Sequence, residues 1–165
     1  MSSMIPPRVL FVCTANMNRS PTAAAWANKL FAERFVTAQI RSAGTHAWDG
    51  GPASANATQA MAELDFDLRT HRSQPIRAEL LDWADHVVVM EPMHRDVILE
   101  TAPEYADKIL PMWDFIEDGG DHVVDPQGHE YEAFRRSAAE IGEATAKLVV
   151  HILAERRARR RAARG

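Results

Sequence analysis

The chain has 165 residues, an apolar content of 46% and a formal net charge of −4, which predict one globular domain with a full hydrophobic core. No apolar run reaches the length of a membrane span and the N-terminus lacks a signal-peptide pattern, so we expect a cytoplasmic protein without a transmembrane segment. The single cysteine excludes an intramolecular disulfide. The scattered histidines show no metal-ligand spacing, so we expect neither a metal nor a cofactor.

The first element along the chain is a strand predicted over residues 9–12, an apolar run too short for a helix and too unbroken for an exposed strand. Such a run is typical of a strand buried on both faces of a parallel sheet. Three further strands are predicted over residues 37–41, 86–90 and 109–112.

Helical patterns alternate with these strands, and the predicted helices cover residues 22–35, 53–64, 77–84, 92–101 and 130–157. Alternating strands and helices build βαβ units with right-handed crossovers. The sequence therefore predicts an α/β fold, a doubly wound, four-stranded parallel sheet flanked by helices, in a single domain over residues 1–165. Ligands of such folds bind at the C-terminal ends of the strands.

The charge is distributed unevenly, because residues 155–165 carry +5 and the remainder of the chain carries −9. The acidic body argues against a nucleic-acid-binding protein. The basic tail has two interpretations. It contacts an anionic partner such as membrane lipid, or it is a frayed, solvated helix end whose cations suit the helix C-terminus.

Cys13 directly follows the first strand, and Arg19 and Ser20 precede the first predicted helix. A loop between a buried strand and a helix start points its N–H groups inward and forms an anion cradle. These dipoles and the charge of Arg19 favour a thiolate at Cys13, and the guanidinium matches two oxygens of a phosphate. The Ser20 hydroxyl can hydrogen-bond the sulfur. The pattern predicts a nucleophile in contact with a bound oxyanion.

The whole phrase VLFVCTANMNRSP, residues 9–21, resembles the signature of the low-molecular-weight protein tyrosine phosphatase family. Further segments resemble the family in order, at residues 41–45 with Trp48, 71–73, 87–90 and 124–126. The resemblance implies the fold of that family, called phosphotyrosine phosphatase I-like. It also implies a hydrolase that removes phosphate from phosphotyrosine in proteins through a phosphocysteine intermediate.

The resemblance implies a role for each matching residue. Cys13 is the nucleophile, Arg19 binds the phosphate, and Asp125 is the general acid and then the base for water. The phosphate loop and the cleft wall comprise Thr14, Ala15, Asn16, Met17, Asn18, Ser20 and Trp48. A network that keeps the loop rigid comprises Asn16, Ser20, Ser42 and His71.

Some of these roles have simpler alternatives in the sequence. Without the resemblance, Asp125 ranks no higher as the acid than Asp118 or Asp121, because an Asp-Pro pair often only starts a turn. An isolated loop histidine such as His71 is usually a surface residue, and Trp48 is equally consistent with a partly buried loop tryptophan.

Three residues depart from the pattern of the family. Ala15 replaces a glycine of the loop, Asn18 replaces a frequent second cysteine, and Gln127 replaces the aromatic residue that usually follows Asp-Pro. The change at Gln127 thins one wall of the cleft.

The sequence is also compatible with two other functions. Arsenate reductases share this fold and loop but relay electrons through further cysteines, which this chain lacks, so that function would need an external thiol. An inert phosphate-binding module is disfavoured because Cys13, Arg19 and Asp125 are all present. The expected partner is a phosphotyrosine-containing protein, such as an autophosphorylated bacterial tyrosine kinase.

Overall fold

The computed structural model describes residues 5–165. Residues 1–4, which contribute to the expectation that no signal peptide is present, lie outside the described residues. Four strands form one parallel sheet in the order β2-β1-β3-β4. Their bounds are β1 Arg8–Cys13, β2 Gln39–Gly44, β3 His86–Val89 and β4 Ile109–Pro111. The predicted α/β fold with four parallel strands is confirmed.

Helices connect the strands and cover both faces of the sheet. Their bounds are α1 Arg19–Glu33, α2 Ala55–Ala62, α3 Ala78–Trp83, α4 Pro92–Thr101 and α5 Tyr131–Arg164. Two short 3-10 helices, Pro103–Lys108 and Met112–Phe115, flank β4. Within residues 5–165, no helix combines the length and the apolar content needed to cross a membrane.

Three predicted boundaries differ from the structure by more than two residues. Strand β2 covers residues 39–44 rather than 37–41, because it pairs with β1 residue by residue until Cys13 lies opposite Gly44. Helix α1 begins at Arg19 rather than at residue 22. It tolerates Pro21 because the first residues of a helix have no intrahelical acceptor for their N–H groups.

The third wrong boundary concerns the basic tail. Helix α5 continues to Arg164, so residues 155–164 are helical rather than frayed, although most of their side chains are exposed. The segment contains mainly arginine and alanine, which are strong helix formers.

The central strand β1 supplies side chains to two hydrophobic cores. Val9 and Phe11 face the core shared with α1 and α5, whereas Leu10 and Val12 face the core shared with α3 and β3. All four side chains have no exposed surface, which confirms the strand buried on both faces. Complete burial of each such side chain contributes about 1.5–3 kcal/mol. This packing fixes the end of β1, where Cys13 lies, at the carboxyl edge of the sheet.

Candidate active site

The phosphate loop, residues 14–18, connects the end of β1 to the start of α1. Within residues 5–165, the main-chain N–H groups of residues 14–19 donate to no protein acceptor. The positive end of the α1 dipole lies directly behind them. Unpaired N–H groups at a helix start bind anions, so this loop has the donors that a phosphate group requires.

Cys13 is buried beside the loop, and its Sγ lies 2.9 Å from Ser20 Oγ. Ser20 Oγ accepts a hydrogen bond from Asn16 Nδ2 over 2.7 Å. The hydrogen of the Ser20 hydroxyl is therefore available to the sulfur. Asn16 thus orients the Ser20 hydroxyl toward the sulfur of Cys13.

Asn16 is the buried centre of a network that holds the loop. Its backbone is left-handed, with φ of 56°, a conformation that asparagine tolerates better than most residues. Its Nδ2 also donates to Ser42 Oγ over 2.9 Å, and its Oδ1 accepts from the N–H of Gln74 over 3.0 Å. Its carbonyl accepts from Nε2 of His71 over 2.7 Å. The structure thus brings together the residues of the predicted network.

The ring of His71 donates through Nε2, so its neutral form carries the proton there. Burial lowers the pKa of His71 and outweighs the opposing effect of its hydrogen bond to Asn16. Gln74 was missed by the sequence analysis, because no local pattern separates it from other polar loop residues.

The guanidinium of Arg19 is buried, with 2% of its side chain exposed. Its Nη1 donates to the carboxylate of Glu91 and, over 2.8 Å, to the carbonyl of Val123. Its Nη2 lies 3.5 Å from Thr14 Oγ1. The ion pair with Glu91 holds the guanidinium beside the loop. Glu91 was not among the predicted site residues, although a charged residue directly after a predicted buried strand lies at the edge where ligands bind.

His94 supports the loop through Thr14. The N–H of Glu91 donates to His94 Nδ1 over 3.0 Å, and His94 Nε2 lies 2.8 Å from Thr14 Oγ1. Burial and then the charge of Arg19 lower the pKa of His94 to about 4. The ring is therefore neutral near pH 7, with its proton on Nε2 donated to Thr14. The Thr14 hydroxyl can then donate its own hydrogen to a bound anion.

Of the three aspartates considered as the general acid, Asp125 is the one that lies beside Arg19, with its Oδ2 3.6 Å from Arg19 Nη2. Its Oδ1 accepts from the N–H of Gln127 over 3.0 Å. The alternative acids point elsewhere. Asp121 is exposed and pairs with His122 over 2.8 Å, a hydrogen bond that lowers the pKa of Asp121. Asp118 is an exposed turn residue with φ of 54°.

The remaining predicted residues lie around the loop at different depths. Ala15 and Met17 are half-buried in it, and Asn18 is buried. Trp48 follows β2 and is 81% exposed. Its carbonyl accepts from Ser73 Oγ over 2.6 Å, so its backbone is anchored, and the residue is exposed rather than partly buried.

In the part of the chain that the structure describes, no three or more histidine, cysteine, aspartate or glutamate side chains are grouped in a way that could hold a metal ion.

Comparison with known proteins identifies the family. A family model described as low molecular weight phosphotyrosine protein phosphatase matches residues 8–159. A protein-arginine-phosphatase from Geobacillus stearothermophilus is 35% identical over 83% of this chain and 90% of its own length. An arsenate reductase from Bacillus cereus is 33% identical over 81% of this chain and 87% of its own length.

A solved structure agrees with this assignment. The low molecular weight protein tyrosine phosphatase from T. tengcongensis has a TM-score of 0.82 and 35% identity, covering 88% of this chain and 99% of that one. The family predicted from the phrase at residues 9–21 is confirmed. The chain belongs to the low molecular weight phosphotyrosine protein phosphatase family and is a hydrolase that acts on phosphoproteins.

Proposed function

We propose that this chain hydrolyses phosphotyrosine in proteins through a phosphocysteine intermediate, with Cys13, Arg19 and Asp125 as its catalytic residues. One observation carries the proposal. The sulfur of Cys13, the unpaired N–H groups of residues 14–19 and the pair formed by Arg19 and Asp125 converge at the carboxyl end of β1. A nucleophile, an oxyanion cradle and an acid are the three components that phosphate transfer to a side chain requires.

In the first step, the Cys13 thiolate attacks phosphorus, a sulfur–phosphorus bond forms and the bond to the tyrosine oxygen breaks. The carboxyl group of Asp125 gives its proton to the departing oxygen. The loop N–H groups, the Thr14 hydroxyl and Arg19 stabilise the three equatorial oxygens. Glu91 holds the guanidinium in place, so its orientation is set before the substrate binds.

In the second step, the carboxylate of Asp125 takes a proton from water, and the water oxygen attacks phosphorus. The sulfur–phosphorus bond breaks and inorganic phosphate forms. The hydroxyl of Ser20 donates to the sulfur and so stabilises the departing thiolate. Because Asn16 holds the Ser20 oxygen, this hydrogen is directed to the sulfur throughout the cycle.

The burial of Cys13 supports phosphotyrosine over phosphoserine. Cys13 is 3% exposed, so the phosphate group must enter a cleft before it reaches the sulfur. A tyrosine ring places its phosphate farther from the peptide backbone than a serine side chain does. Half-buried Met17 offers an apolar contact to a ring inside that cleft.

The test compares Asp125→Asn with the control Asp121→Asn, an exposed acid of the same loop. The kcat/KM for phenyl phosphate, a substrate whose leaving group needs a proton, should fall about 10²–10⁴-fold in Asp125→Asn. It should change less than about twofold in Asp121→Asn. With 2,4-dinitrophenyl phosphate, whose leaving group departs without a proton, the deficit of Asp125→Asn should shrink. A larger effect at Asp121 would refute the assignment of the acid.

Phosphoarginine is a second candidate substrate, favoured by the likeness to a relative named as a protein-arginine-phosphatase. Gln127, in place of an aromatic residue, offers a polar wall to a guanidinium. Matched peptides that carry phosphotyrosine or phosphoarginine at one position would distinguish the two substrates by their kcat/KM values. A higher value for phosphoarginine would replace phosphotyrosine in the proposal. Cys13 would still attack phosphorus, but the phosphorus–nitrogen bond would break and Asp125 would give its proton to the departing nitrogen.

Arsenate reduction is the remaining enzymatic alternative. With a single cysteine, the chain could transfer electrons to arsenate only if an external thiol attacked the adduct at Cys13. An assay with arsenate and excess glutathione, run beside the phosphatase assay, tests this function. Turnover of arsenate comparable with that of phenyl phosphate would favour it.

We propose that the enzyme acts in the cytoplasm, on partners such as an autophosphorylated bacterial tyrosine kinase.

We also propose that the basic tail, residues 155–165, binds an anionic partner. The tail lies about 40 Å along α5 from Tyr131, the first residue of that helix and the one nearest in sequence to Asp125. A partner held at the tail therefore leaves the catalytic cleft open. Arg156 is not altered in the test, because it contacts the carbonyl of Ile5. The test replaces Arg157, Arg159, Arg161 and Arg164 by glutamine. Binding to phosphatidylglycerol vesicles should be lost while hydrolysis of phenyl phosphate persists, and unchanged binding would refute the role.

A further inference from the structure

Asn18 occupies the N-cap of α1, yet its side chain makes no capping hydrogen bond. An N-cap asparagine usually accepts from the main-chain N–H of the second or third helical residue. The third residue of α1 is Pro21, which has no N–H. The Asn18 side chain is nevertheless buried, with 8% of the residue exposed. Its amide is therefore used in contacts outside its own helix.

Two hydrogen bonds engage that amide. The Ser54 hydroxyl donates to Asn18 Oδ1, and Asn18 Nδ2 donates to Gln127 Oε1 over 3.0 Å. Ser54 is itself fixed, because its Oγ accepts from the N–H of Ala57 as the N-cap of α2 and its N–H donates to the carbonyl of Met17 over 3.1 Å. Since Ser54 donates to the amide oxygen, the amide nitrogen must face Gln127.

Gln127 connects this amide to the proposed acid. Its side chain accepts from Asn18, and its main-chain N–H donates to Asp125 Oδ1 over 3.0 Å. On the other side of Asp125, Val123 is anchored by its N–H to the Met90 carbonyl and by its carbonyl to Arg19, each over 2.8 Å. Asp125 thus lies between Val123 and Pro126, which is buried, and the N–H that orients its carboxylate belongs to Gln127, which Asn18 holds.

The hydrogen bond from Asn18 to Gln127 matters because the residues that follow Pro126 have little packing to hold them. Gln127 and residues 128–130 are exposed. A hydrogen bond to a buried, oriented amide restrains such a segment more than a bond to a mobile surface side chain does. Loss of the bond should leave Gln127 free to move, and the N–H that orients Asp125 would move with it.

We propose that Asn18 is a positioning residue that acts through Gln127 to aim the carboxyl group of Asp125 at the leaving group. The inference rests on the proposed role of Asp125 as the general acid. The bridge uses the Asn18 side chain, whereas the anion cradle uses its main-chain N–H. Breaking the bridge should therefore impair protonation of the leaving group and spare phosphate binding.

The test compares two substitutions at Gln127, which is exposed and whose variants should fold. Gln127→Met removes the acceptor at similar side-chain length, whereas Gln127→Glu keeps an acceptor for Asn18. The measured quantity is the ratio of kcat/KM for phenyl phosphate to kcat/KM for 2,4-dinitrophenyl phosphate. An effect that both substrates share, such as a change in phosphate binding, cancels in this ratio, so the ratio reports protonation of the leaving group.

We expect the ratio to fall about tenfold in Gln127→Met, since a small displacement of a catalytic group costs up to about 10²-fold. It should stay within about threefold of wild type in Gln127→Glu. The inhibition constant for inorganic phosphate should change less than about twofold in Gln127→Met. The double variant Asn18→Ala/Gln127→Met should show the same ratio as Gln127→Met alone, because both changes break one bridge.

Asp125→Asn serves as the reference that separates two failures. If Asp125→Asn leaves the ratio at the wild-type value, the assignment of the acid fails and the bridge has no acid to position. If Asp125→Asn lowers the ratio and Gln127→Met does not, the role of Asn18 alone is overturned. An equal loss on both substrates with weaker phosphate inhibition would also overturn it, because the cradle would then be the affected part.

Discussion

The buried histidine His94 leads to a quantitative prediction of how stability depends on pH. Its native pKa is about 4, whereas the ordinary value is 6.5. At about pH 5, about 97% of an unfolded His94 carries a proton, against about 10% of the native residue. The unfolded state therefore binds more protons, and stability must fall as the pH drops through this range.

Integrating the difference in bound protons between about pH 7.5 and about pH 5 gives a loss of about 2 kcal/mol from His94 alone. Burial also lowers the pKa values of His71 and His86, so the total loss in the wild type should be larger. Urea unfolding, followed by tryptophan fluorescence at the two pH values, would measure that loss.

The share of His94 is isolated with His94→Asn, which keeps an acceptor for the N–H of Glu91 but does not titrate. This variant should lose about 2 kcal/mol less than the wild type between the two pH values. His129→Asn is the matched control, because His129 is exposed and its removal should leave the pH dependence unchanged. If His94→Asn and the wild type lose the same free energy within about 0.3 kcal/mol, the proposed burial of a neutral His94 is wrong.

Two further predictions concern the loop. Gly44→Ala would place a Cβ 2.4 Å from the carbonyl oxygen of Thr14 and 3.0 Å from the N–H of Asn16, so urea unfolding should show a loss of about 1–3 kcal/mol. Its kcat/KM should fall as well, and full activity would show that the loop tolerates the shift. Peroxide should inactivate the enzyme largely irreversibly, because Cys13 has no second cysteine with which to form a disulfide. Activity after dithiothreitol measures recovery, Asn18→Cys should restore it, and complete recovery of the wild type would contradict this reasoning.

The sequence predicts the centre of the fold well because the signals there are local. An unbroken apolar run over residues 9–12 can be buried only in the middle of a sheet, and the cysteine after it must then lie at the carboxyl edge. Strand β2 was misplaced because only its last three residues are buried. Its bounds depend on pairing with β1, which hydrophobic periodicity does not show.

The supporting residues of the site could not be predicted, because they lie far from the loop along the chain. Glu91 is 72 residues from Arg19, and His94 is 80 residues from Thr14. Periodicity places each residue on a helix or strand but does not show which distant side chains meet. The same limit applies to Trp48, because its place in a loop after β2 does not show how exposed its side chain is, and the structure is needed to set aside the partly buried alternative.

Asn18 and Gln127 looked like two unrelated departures from the family pattern, and the structure gives them one explanation. A cysteine at position 18 would offer only a weak S–H donor to residue 127, and an aromatic side chain at position 127 would offer no carbonyl oxygen to accept from an amide. Asn18 alone would remove the second thiol of the loop, and Gln127 alone would remove the aromatic wall of the cleft, and neither change by itself would add a contact in its place. Together they form a hydrogen bond between the phosphate loop and the segment that carries Asp125. The chain thus lacks a thiol that could protect Cys13 from oxidation, and in its place has an amide that restrains the proposed acid.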